Sequence, residues 1–178
     1  MAIKIGKNNT IHPTAIIYDN VTIGNNNYIG AYCVIGSPAE YKGMLDMNEG
    51  VVIGNGNRIT EFAVINSGTT SPTIIGDNNF IMRNAHIAHD VEIGNRNTTS
   101  ANTIIGGCVR IGDDSNLGMG CIIHQELLIP DGVMIGMGAV VTKKTKLRPW
   151  FVYAGVPAKE LKFNQIGYDR KNPTTKTV

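Results

Sequence analysis

Residues 81–141 read IMRNAHIAHDVEIGNRNTTSANTIIGGCVRIGDDSNLGMGCIIHQELLIPDGVMIGMGAVV. An aliphatic residue returns there every six positions, at Ile81, Ile87, Ile93, then past Thr99 at Ile105, Ile111, Leu117, Ile123, Ile129, Ile135 and Val141. Neither the 3.6-residue period of a helix nor the two-residue period of a strand gives that step. A six-residue period held this long describes a parallel β-helix, whose short strands form flat sides and whose turns form corners. With three sides, a coil takes 18 residues, and each aliphatic side chain points inward onto its counterpart about 4.8 Å away. A β-sandwich would show irregular turns every 8–12 residues or so instead. The fold class is therefore all-β, a left-handed parallel β-helix with a short C-terminal cap.

The same phase runs earlier, through Ile11, Ile17, Ile23, Ile29 and Ile35, then Ile53, Ile59 and Ile65. Two segments interrupt it. Residues 37–50 (SPAEYKGMLDMNEG) add length without changing phase, and residues 67–73 (SGTTSPT) shift it by four before Ile75. Loops thrown out of a rigid solenoid commonly carry binding contacts. The expected organisation is a β-helix over 1–141 with loops at 37–50 and 67–73, then a cap and tail over 142–178. Glycine is abundant, at 21 of 178 residues, and asparagine clusters in runs such as Gly24-Asn-Asn-Asn27 and Gly94-Asn-Arg-Asn97. Both residues tolerate positive φ, so left-handed turns must recur.

A formal net charge of +2 gives no reason to expect a nucleic-acid partner. No apolar run approaches the length of a membrane span, and the N-terminus lacks a signal-peptide core. Cys33, Cys108 and Cys121 are odd in number and widely spaced, which is neither a disulfide framework nor a zinc pattern. These features predict a soluble cytoplasmic protein with reduced thiols. The three flat sides suit closed cyclic assembly, so a homotrimer is expected.

Chemistry concentrates in Asn84-Ala-His86-Ile-Ala-His89-Asp90. Three of the four histidines, His86, His89 and His124, fall within about two coils, whereas His12 opens the first coil and reads as structural. Counting by 18 from His89 reaches Gly107 and then Gln125, one column along the solenoid. A histidine removes a proton from an attacking hydroxyl or amine, and Asp90 orients the ring. A glycine one coil away offers an open N–H to an oxyanion. With no serine or cysteine nucleophile beside a base, direct attack is the simpler course. The bland reading makes His89 a solvated turn residue and His86 a packing residue.

The segment Asn84–Asp90 with Val-Glu-Ile-Gly-Asn-Arg96 after it resembles the active-site stretch of the UDP-N-acetylglucosamine O-acyltransferases of lipid A synthesis. Ile11-His-Pro-Thr-Ala-Ile16 and Asn164-Gln-Ile-Gly-Tyr-Asp-Arg170 are similar to that family too. The resemblance implies His89 as general base, Asp90 as its partner and Gly107 as oxyanion donor. It implies substrate contacts at Asn84, His86, His124, Gln125, Asn164 and Arg170, and a substrate loop at Glu40-Tyr-Lys42. Cys108 departs from it, standing where the family has histidine. Met119 and Met137 also depart, replacing glycines that line the family's acyl groove. Stacked 18 apart, two methionines would fill a long-chain groove, unless they are merely core filler.

The segment Tyr153-Ala-Gly155-Val-Pro157-Ala-Lys159 resembles the terminal stretch of acetyl-CoA-dependent hexapeptide acetyltransferases, implying donor contacts at Gly155, Pro157 and Lys159. Together these features favour acetyl transfer from acetyl-CoA to the amino group of a nucleotide-linked sugar, with no permanent cofactor. The alternative is O-acylation of UDP-N-acetylglucosamine from acyl carrier protein. A zinc lyase of the γ-carbonic anhydrase kind is weaker, because His86, His89 and His124 do not keep that family's spacing. A non-catalytic scaffold is the remaining class.

Overall fold

The computed structural model describes residues 3–40, 42 and 48–173. Strands of two to five residues wind through three flat faces of a left-handed parallel β-helix. The first face stacks seven strands from Lys4–Ile5 to Leu128–Ile129, and the third stacks seven from Ile16–Ile17 to Val140–Val141. The second has nine, from Thr10–Ile11 through Met134–Ile135 to Phe151–Ala154 and Lys159–Phe163. Among the described residues every strand pairs in parallel except the last, where Lys159–Phe163 turns back against Phe151–Ala154, and an isolated antiparallel bridge joins Gly50 to Gly68.

The periodic residue is the reason for this coil. Ile81, Thr99, Leu117 and Ile135 pair in register along the second face, and all are at most 1 % exposed. Thr99 therefore interrupts the aliphatic column in chemistry but not in place. Each buried isoleucine contributes roughly 1.5–3 kcal/mol relative to exposure. At one corner small side chains stand two residues ahead of each strand's inward residue. Cys33, Ala63, Ala85, Thr103, Cys121 and Ala139 do so between the second and third faces. Two of the three cysteines are thus packing residues standing where alanine stands in neighbouring coils.

At the corner between the first and second faces the asparagines form a ladder. Asn27 Oδ1 accepts from the Asn57 N–H, Asn57 from Asn79 and Asn79 from Asn97, each at 2.8 Å, and Asn97 Oδ1 accepts from the Ser115 N–H at 2.7 Å. These groups are buried, so each bond satisfies a backbone donor that water cannot reach. Asparagine is dense here for that reason as well as for its tolerance of positive φ. From Asn78 to Gly138 a residue with φ between 57° and 66° recurs every six positions, including Asp90, Arg96 and Cys108. The coil imposes left-handed turns whether or not the residue favours them.

Val51 pairs with Val21 across the first interruption, and Thr73 pairs with Val51 across the second. The two interruptions touch: the Ser67 N–H donates to the Ser37 carbonyl at 2.8 Å and Asn66 Nδ2 to the Pro38 carbonyl at 3.1 Å. The C-terminal end closes with Trp150, Tyr168, Phe163 and Phe151 in edge-on or tilted contacts near 5.4 Å. A seven-residue helix, Gln165–Lys171, follows. Among the described residues no helix is long and apolar enough to cross a membrane.

Candidate active site

His89 and Asp90 sit on the corner between the third and first faces, in the turn joining the strands His86–Ile87 and Glu92–Ile93. His89 Nδ1 lies 2.7 Å from Asp90 Oδ2. Gly107 occupies the same corner one coil on, beneath the imidazole. A Cβ there would lie 2.6 Å from His89 Nε2 and 2.7 Å from Cε1, so only glycine leaves room for the ring. Among the described residues no hydrogen bond takes up the Gly107 N–H, while its neighbours Gly106 and Cys108 donate to the carbonyls of Ile123 and His89. Gln125 follows in the next coil. His124 is exposed, its Nδ1 3.0 Å from the Gln125 carbonyl. His86 faces outward from the adjoining strand, between Val64 and Ile104.

The Asp90 carboxylate is 5 % exposed and surrounded by donors. Oδ1 accepts the N–H groups of Thr70 at 2.8 Å and Ser71 at 2.9 Å, and Oδ2 accepts the Thr69 hydroxyl at 2.7 Å. Burial pushes its pKa up, but the bonds from Thr69, Thr70, His89 and Ser71 outweigh burial and hold it well below the usual carboxylate range. Thr69, Thr70 and Ser71 belong to the segment that shifts the repeat by four. Periodicity could not find them, and the only sequence signal was their composition, since serine and threonine favour turns that bond a neighbouring carboxylate.

A cleft of about 310 Å³ opens beside the dyad, lined by Thr70, Ser71, Glu92, Cys108, Arg110 and Leu128. Burial raises the Cys108 pKa, and the charges of Asp90 and Glu126 raise it further against Arg110, so the thiol stays protonated. It is a poor nucleophile. One grouping of potential metal ligands occurs among the described residues, His89, Asp90 and Cys108, with ligand atoms within 4.8 Å of one another. The Asp90 oxygens are already taken by hydrogen bonds from Thr69, Thr70 and Ser71, so this set lacks the three open ligands that a zinc ion needs. His86 and His124 lie in other columns.

The remaining predicted residues fall elsewhere. Met119 and Met137 stack on the corner between the second and third faces, 52 % and 71 % exposed, so they are not core filler. Asn84 is on that corner too, at φ 57°. Asn164 caps the C-terminal helix, accepting from the Gly167 N–H at 3.2 Å and donating to the Gly132 carbonyl at 3.0 Å. With Arg170 it lines a cleft of about 520 Å³ that also includes Arg96, Thr98, Asn116 and Met134. Gly155 and Pro157 form the turn that closes onto Val140 at the end of the third face, and Lys159 is exposed on the returning strand. Glu40 is exposed, and Tyr41 beside it lies outside the described residues.

Repeat, coil and corner turns define a hexapeptide-repeat β-helix, and the bacterial transferase hexapeptide family (six repeats) matches residues 2–37 and 72–107. Within that class the chain resembles UDP-N-acetylglucosamine O-acyltransferases. It is 47 % identical over 74 residues to the acyl-[acyl-carrier-protein]–UDP-N-acetylglucosamine O-acyltransferase of Nautilia profundicola, covering 39 % of this chain and 28 % of that protein. The Acinetobacter baumannii LpxA structure superposes with a TM-score of 0.92 at 29 % identity, covering 98 % of this chain and 68 % of that one. The UDP-N-acetylglucosamine acyltransferase of Campylobacter jejuni superposes with a TM-score of 0.89 at 34 % identity, covering 95 % of this chain and 66 % of that one. The alignments cover 28 % of the Nautilia profundicola protein and 35 % of its Campylobacter lari counterpart, so the chain spans about a third of the length of these curated relatives.

Proposed function

We propose that this chain is an acyltransferase that moves an acyl group from a carrier-protein thioester onto a hydroxyl of a UDP-linked N-acetylhexosamine. The observation that carries the reading is the His89 ring, fixed through Nδ1 by Asp90 and stacked on Gly107 in the next coil. In the neutral ring with its proton on Nδ1, Nε2 is the basic nitrogen. It takes the proton of the substrate hydroxyl while the oxygen attacks the thioester carbonyl. The Gly107 N–H donates to the oxyanion, a contribution of the size usual for such donors. Collapse breaks the carbon–sulfur bond, and the imidazolium returns its proton to the departing thiolate. Cys108, protonated, takes no part as nucleophile.

The names of the relatives favour this O-acyl reading over acetyl transfer from acetyl-CoA to an amine, which sequence features alone had favoured. Met119 and Met137 still argue for a short chain, since exposed thioether side chains in adjacent coils narrow whatever groove they line. A homotrimer is part of the proposal. The candidate contacts divide among three corners of one prism, and a neighbouring copy brings a second corner to His89. Exposed Ile104 and Ile122 on the third face give such a neighbour apolar surface to cover. A cytoplasmic location fits three free thiols.

The test is thiol release from carrier proteins bearing acyl chains of graded length and from acetyl-CoA, with UDP-N-acetylglucosamine and UDP- or dTDP-linked amino sugars as acceptors. Turnover of UDP-N-acetylglucosamine with a carrier-protein donor is expected, with Met137→Gly extending the accepted chain. Turnover confined to acetyl-CoA and an amino sugar would overturn the O-acyl reading.

A further inference from the structure

The second interruption of the repeat does more than cross from one face to the next. A regular coil would need no residues beyond its 18, as seen where Asn97 follows Asn79, yet this crossing takes four more. The extra length is used on Asp90. Thr69 presents its N–H to Oδ1 and Oδ2 at 3.1 and 3.0 Å and its hydroxyl to Oδ2 at 2.7 Å. Thr70 adds its N–H at 2.8 Å and its hydroxyl at 3.0 Å, both to Oδ1. All of these donors are neutral, and all come from one tight turn. Gly68 makes the turn possible: a Cβ there would lie 1.6 Å from the Ser71 carbonyl oxygen. The turn is braced from below, because the Ser67 hydroxyl donates to Asn48 Oδ1 at 2.7 Å and accepts from the Gly50 N–H at 2.8 Å.

We propose that Thr69 is a positioning residue of the acyl-transfer site, its hydroxyl and N–H fixing the Asp90 carboxylate so that Oδ2 always faces His89 Nδ1. An ionised carboxylate only accepts hydrogen bonds, so Nδ1 must donate and the neutral ring must carry its proton there. The turn therefore sets the tautomer of His89 through Asp90. Without the hydroxyl, Oδ2 loses its shortest neutral donor and the carboxylate can rotate away from the ring. The inference rests on His89 being the base, but the arrangement it describes can be read without substrate.

The experiment compares Thr69→Val, which removes the hydroxyl at nearly constant shape, with Thr69→Ser, which keeps it. Nitrogen-15 NMR of histidine-labelled protein reports the His89 tautomer, and steady-state acyl transfer reports kcat and KM. The native protein and Thr69→Ser are expected to hold the neutral ring as the Nδ1–H form. Thr69→Val is expected to populate the Nε2–H form and to lower kcat about tenfold with KM for the sugar nucleotide within about twofold, the size of one hydrogen bond to a charged group. An unchanged tautomer in folded Thr69→Val overturns the proposal, as does equal loss of kcat in the valine and serine variants. If the tautomer shifts as expected but the native protein transfers no acyl group, the positioning stands and the proposed reaction is what fails.

Discussion

Two corners of this prism share one backbone turn and differ in what their side chains do with it. Between the first and second faces, the turn at residues 94–97 carries Asn95, Arg96 and Asn97, and the left-handed position is Arg96. Its neighbour Asn95 accepts from the Asp77 N–H at 2.8 Å, and Arg96 reaches Asp113 at 2.8 Å and Asp114 at 2.7 Å. Every polar group there serves a neighbouring coil. Between the third and first faces, the turn at residues 88–91 puts Asp90 in the left-handed position and turns its carboxylate toward the 67–71 segment and His89. The ring then lies over a glycine rather than meeting a side chain in the coil above. Where the ladder closes on itself the corner is structural, and where a partner comes from outside the ladder a reactive group is held in place.

The sharpest way to break that contrast is His89→Ala. Its kcat/KM should fall about a thousandfold, within the range for a general base, while its melting temperature stays close to native. An active His89→Ala protein would make both corners structural. Gly107→Ala comes next. Its Cβ would strike the imidazole, so activity should fall roughly a hundredfold. Gly120→Ala, at φ 66° with nothing within 4 Å of a Cβ, should cost only about 1 kcal/mol of stability and no activity. In the ladder the signs reverse. Asn97→Ala strands the Ser115 N–H and the Gly112 carbonyl, which should cost about 2–3 kcal/mol in urea denaturation with kcat unchanged. The smallest effect belongs to Arg96→Ala. Its ion pairs are exposed, so the loss should be under about 1 kcal/mol and should shrink as salt is added.

The coil, its register and the inward column were legible because a six-residue period leaves one geometry that buries every isoleucine. The His89, Gly107 and Gln125 column was legible by the same counting. Thr69, Thr70 and Ser71 were not, because they lie where the period fails and their partner, Asp90, is 19 to 21 residues away. Composition implied left-handed turns but not that Tyr32, Phe62 and Trp150 would also adopt them, stacked or capped by neighbours. Asn84, Asn164, Arg170, Met119 and Met137 read as parts of one site by resemblance, yet in a single chain they lie on two corners away from His89.

What the sequence determined by itself is whatever repeats: a local pattern read 18 residues apart is also a spatial pattern, since each coil repeats the one before it. Only the tertiary structure decided how the interruptions are used. A loop's endpoints are fixed by the solenoid, but its path depends on which buried group most needs hydrogen bonds. Here that group is the Asp90 carboxylate, whose charge is costly to bury without donors.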